Sequence, residues 1–101
     1  MRLTIIPSDS FVAVDGDGSH QPLDISTCGI PSEVHALQWF DTKGWIEFDD
    51  PVDPFAPKPP NEMIEILPVW ADNCLAAWGE WTPPPPPPPP EEPQIPVTTI
   101  E

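Results

Sequence analysis

The chain has 101 residues, with 17 Asp and Glu against 3 Lys and Arg, a net charge of -14, 19 prolines and 5 tryptophans. That length supports a single small core, which excludes a two-domain enzyme. Arg2, Lys43 and Lys58 are too few to neutralise a row of phosphates, so nucleic acid and anionic membrane surfaces fall outside the expected partners.

The opening Leu3-Thr4-Ile5-Ile6 is too short for the apolar core of a signal peptide, and no stretch nears the ~20 apolar residues of a membrane span. The expectation is a protein made and kept soluble in a cytoplasm, with no membrane insertion. Arg2 to Ile6 and Phe11 to Val14 read as strands, brief β-branched and aromatic runs joined through the turn residues Pro7 to Ser10. Asp15-Gly16-Asp17-Gly18 then supplies the positive φ of a tight reversal. Read as a calcium loop, this run fails, because the sixth position is His20 where glycine is needed and the twelfth is Ser26 where a bidentate glutamate is needed.

Leu23-Asp24-Ile25 reads as a weaker strand. Val34 to Phe40 and Trp45 to Phe48, joined by Asp41 to Gly44, form the strongest hairpin, whose alternation puts His35, Leu37 and Trp39 on one face. The proline-rich run Asp50 to Pro60 reads as a linker within the domain. Asn61 is placed to cap a short helical turn over Glu62 to Leu67, and Pro68 to start a helix running to Trp81. Along that helix Trp70, Cys74, Trp78 and Trp81 recur at helical spacing as one stripe.

The predicted fold class is therefore α+β: a small antiparallel β-sheet of four or five short strands packed with one C-terminal helix, over residues 1–81. Residues 82–101 form a proline-rich extended arm. Pro83, Pro84, Pro85, Pro86, Pro87, Pro88, Pro89 and Pro90 have fixed φ and no amide hydrogen, so the tract is expected as a polyproline II helix reaching about 25 Å. Beyond it Ile95, Val97 and Ile100 alternate with Pro96, Thr98 and Thr99, as a strand added to a partner's sheet edge would.

Candidate sites follow from the same residues. Trp39, Trp70 and Trp78 are expected in the core, whereas Trp45, after a turn, and Trp81, at the root of the arm, are candidates for a partner surface together with the tract and its tip. Cys28 and Cys74 show no Cys-x-x-Cys or Cys/His cluster, and their spacing to His20 and His35 gives no sign of a catalytic pair. Two free thiols are expected, Cys74 as a small core residue and Cys28 in an exposed loop. No catalytic residue, metal or cofactor is assigned.

The segment Val34-His35-Ala36-Leu37-Gln38-Trp39-Phe40-Asp41-Thr42-Lys43-Gly44-Trp45-Ile46-Glu47-Phe48 is followed by Asn61-Glu62, by Leu67-Pro68-Val69-Trp70-Ala71 and by Leu75-Ala76-Ala77-Trp78. Together these resemble small tailed-bacteriophage tail-fibre accessory or assembly proteins, over roughly Met1 to Trp81. The resemblance implies no catalytic residues. It implies a protein made in the host bacterial cytoplasm and assembled into the virion tail, binding a tail-fibre or baseplate subunit. Many such proteins continue the last helix into a charged, alanine-rich tail, where this chain has prolines. In that setting Cys28 is a candidate for an intermolecular disulfide once the particle leaves a reducing cell. The competing expectation is a soluble cytoplasmic adaptor whose polyproline tract is the ligand of a polyproline-binding domain.

Overall fold

The computed structural model describes residues 1–86, 88 and 89. Five strands form one antiparallel sheet: β1 (Arg2–Ile6), β2 (Phe11–Val14), β3 (Val34–Phe40), β4 (Lys43–Phe48) and β5 (Glu62–Ile64). Their spatial order is β2-β1-β3-β4-β5, and one helix, α1 (Val69–Glu80), follows.

The first hairpin turns through a short 3-10 segment, Pro7–Asp9, closed by Ser10 in the left-handed region. β1 lies between β2 and β3, pairing Ile5 with Val12 on one side and with Leu37 on the other. Register therefore decides burial: Leu3, Ile5, Val12, Leu37, Trp39 and Ile46 all point to one face and join the core cluster. Ala71 and Cys74 of α1, both fully buried, pack into that same cluster, so the helix covers this inner face. No polar or charged residue is buried among the described residues. The core is held by apolar burial at about 25 cal/mol per Å².

α1 starts where Pro68, in an extended conformation, offers its carbonyl to the amides of Ala71 and Asp72 at 3.0 and 3.2 Å. It ends at Trp81, whose backbone is extended, because Thr82 precedes a proline and is pushed out of the helical region.

Four local expectations are corrected. His35 does not share a face with Leu37 and Trp39: a bulge between Val34 and Ala36 inserts one residue, so Val34 turns inward and His35 is exposed, pairing with Asp49 at 3.3 Å. Leu23-Asp24-Ile25 is not a strand. Its two apolar side chains are buried, but the Asp24 carboxylate accepts from the Ser26 amide and hydroxyl at 3.1 and 2.6 Å, a local turn that competes with a ladder. The expected helical turn over Glu62 to Leu67 is absent: Glu62–Ile64 form β5, paired with the free edge of β4, and residues 65–67 are irregular. Finally, the turn between β3 and β4 contains only Asp41 and Thr42, with Asp41 at φ 54, and Gly44 lies inside β4 opposite Trp39.

Candidate interaction surfaces

Strand alternation leaves the second face of the sheet for other use. Arg2 pairs with Phe40, Phe40 with Lys43, Gln38 with Trp45, and Trp45 with Met63, which places all of them on the face opposite α1. Phe40 and Trp45 stack with ring centroids 5.5 Å apart, and the Arg2 guanidinium sits 5.1 Å above the Phe40 ring. Met63 beside them is 70% exposed. This patch holds two of the three Lys and Arg residues of a chain with net charge -14. It is an aromatic and cationic island on an acidic molecule.

The patch meets an open sheet edge. β5 is the last strand in the order, and Met63 lies on its outer side while Ile64 faces inward. On the inward side a groove of about 440 Å³ runs between Phe48, Ile64, Leu67 and Trp70. Ile66 and Val69 at its rim are 83% and 75% exposed. The edge of β2 is used differently, since Val14 bridges to Asp17 and the Leu23 amide bonds the Ser10 carbonyl at 2.9 Å.

The root of the arm forms a separate cluster. His20 lies between two tryptophans, stacked on Trp78 at 4.4 Å and on Trp81 at 4.1 Å. Ser19 orients this loop: its hydroxyl donates to Asp17 at 2.6 Å and approaches His20 Nδ1 at 3.3 Å. The hydroxyl and then the amide of Ser19 hold the Asp17 carboxyl below the usual range. The Trp78 indole N–H is buried without a partner. Trp81 is thus half-buried and packs against the core cluster. It fixes where the arm begins.

Trp45 and Trp81 lie on opposite sides of the sheet and do not form one surface. Pro83 to Pro86, Pro88 and Pro89 are exposed, while Pro87, Pro90, Ile95, Val97 and Ile100 lie outside the described residues. Cys28 is not exposed. At 6% exposure it belongs to the core, so the free surface thiol expected for an intermolecular disulfide is not there. Burial first, and then the neighbouring Cys28, pushes the Cys74 thiol up to about 12.

The Asp15 carboxylate accepts from the Arg2 amide of β1 at 2.8 Å, and the Asp17 carboxylate accepts from Ser19 within its own turn. Among the described residues no group of three metal-ligating side chains converges, and no helix is long and apolar enough to cross a membrane. His20 could not be found from sequence, because its contacts depend on a loop crossing to the far end of α1. Met63 was missed for want of β5. The chain matches no protein-family model, no curated protein and no solved structure.

Proposed function

We propose that the chain is a non-enzymatic bacteriophage tail protein that binds a tail-fibre or baseplate component through the uncovered face of its sheet. It acts as a minor virion structural component or as a fibre assembly factor. The observation that carries the binding reading is the Phe40–Trp45 stack beside the exposed Met63, with the Arg2 guanidinium over Phe40. Tryptophan and arginine are the side chains most enriched among interface hot spots, and apolar rings held at a surface gain most when a partner removes them from water. The tail setting is supported by the resemblance over Met1 to Trp81 alone. The arm, starting from the fixed Trp81, supplies reach.

The test is affinity of the purified chain for purified tail-fibre and baseplate subunits encoded beside it. Trp45→Ala and Phe40→Ala should each weaken binding at least tenfold; unchanged affinity in both would remove the sheet face from the interface.

The exposure of Pro83 to Pro86, Pro88 and Pro89 favours a second reading, the soluble adaptor whose tract is read by a polyproline-binding domain. A chain ending at Thr82 separates the two: it keeps partner binding through the sheet face and loses binding through the tract.

A further inference from the structure

Cys28 lies in the loop between β2 and β3, and Cys74 lies in α1. Both belong to the same core cluster, with exposures of 6% and 0%. The loop is tied to the helix beside them, because the Asn73 side-chain amide donates to the Cys28 carbonyl oxygen at 2.9 Å. Asn73 neighbours Cys74 in the chain, so this bond ties the Cys28 backbone to the turn of α1 that carries Cys74, and Cys28 is near enough to act on the ionisation of Cys74. The loop is also held nearer its start, where His20 stacks between Trp78 and Trp81 at the C-terminal end of that helix.

We propose that Cys28 and Cys74 are a dithiol that closes to an intramolecular disulfide when the protein meets an oxidising medium, pinning the β2–β3 loop to α1. The oxidant is a small-molecule disulfide such as oxidised glutathione. The Cys28 thiolate, belonging to the less enclosed residue, attacks one glutathione sulfur during a local opening of the loop. One glutathione thiolate leaves, and a mixed disulfide remains on Cys28. Cys74 then gives its proton to solvent and attacks the Cys28 sulfur; the bond from Cys28 to glutathione breaks and the second glutathione thiolate leaves. The protein loses two electrons and two protons, and glutathione disulfide becomes two thiols. The product covalently closes the long chain segment between the loop and the helix, adding a third tie to the hydrogen bond and the ring stack already there.

The experiment equilibrates the full chain in glutathione redox buffers, once folded and once in concentrated guanidinium, followed by acid quenching, thiol blocking and mass spectrometry. A closed monomer, roughly 2 Da lighter, with a Cys28–Cys74 cross-linked peptide is expected. The ratio of closed to open chain should be at least about a hundredfold higher in the folded protein than in denaturant, and the closed form should melt roughly 10 °C higher. Equal ratios folded and unfolded, or oxidation that yields only glutathione-capped chains or disulfide-linked dimers, would overturn the proposal. Cys28→Ser should abolish the mass loss, and the comparison on the unaltered chain stands whether or not that variant folds.

Discussion

A Cβ at Gly44 would run into the Gln38 carbonyl oxygen and the Trp39 Cα across the β3–β4 hairpin, where no flexible side chain can give way. Gly44→Ala is therefore expected to destabilise the fold by about 3 kcal/mol, the upper range for overpacking, as a fall in Tm or in denaturant midpoint. Gly79 is the contrast. A Cβ there would meet nothing within 4 Å, the residue sits in α1, and Gly79→Ala should gain up to about 1 kcal/mol. Cys74 sets a pH dependence. Its thiol is raised in the folded state from the ordinary 9.0 to about 12, so the folded chain keeps a proton that the unfolded chain releases. Stability is full below about pH 9 and falls as pH rises towards 12. The Met1 amino group, raised by its hydrogen bond to Asp41, acts in the same direction above its ordinary 8.0. Urea titrations of the reduced protein at pH 8, 10 and 11 check this; a flat response would place the Cys74 thiol in contact with water.

At the scale of elements, α1 is the piece whose boundary matters most, because it ends where the arm begins. The core cluster reaches Trp81 and no further along the described chain, and the Trp81 amide makes the last helical bond, to the Trp78 carbonyl at 3.3 Å. Truncation after Thr82 should thus leave the cooperative melt within about 0.5 kcal/mol of the full chain, whereas Trp81→Ala should cost about 1–2 kcal/mol by removing one side of the His20 sandwich. Circular dichroism melts of both distinguish a passive arm from one packed on the domain. What made these elements legible was local pattern. The β-branched runs of β1 and β2, the Val34–Phe40 run and the tryptophan spacing of α1 each declare themselves within a few residues. β5 did not, since a three-residue strand exists only because β4 offers it an unpaired edge. The alternation in β3 misled at His35 because a bulge is invisible to a count by twos. Trp45 was legible as a candidate for a partner surface from its place after a turn, and it is half-buried on the outer face. Cys28 and His20 were not, because their partners on α1 are fixed by how the irregular loop crosses the sheet.

For the whole molecule the governing quantity is a net charge of -14 on a chain of 101 residues. Two copies repel one another, and at low salt the repulsion acts over about 10–30 Å. The outer sheet face departs from this field, with Arg2 and Lys43 beside Phe40. A partner approaching that face meets aromatic surface and local positive charge, framed by an acidic remainder that attracts basic groups further out. Steering and holding are therefore separable. Distant acids set how fast a basic partner arrives, and raising the salt from about 0.05 to 0.5 M should slow association at least tenfold. The rings set how long it stays: Trp45→Ala should speed dissociation roughly tenfold or more, a loss of about 1.4 kcal/mol or above, with little change in the association rate. Surface plasmon resonance against an isolated tail-fibre or baseplate subunit reads both rates. If Trp45→Ala leaves dissociation unchanged while removal of residues 83–101 accelerates it, the contact resides in the arm, and the stacked pair on the sheet is an unused surface.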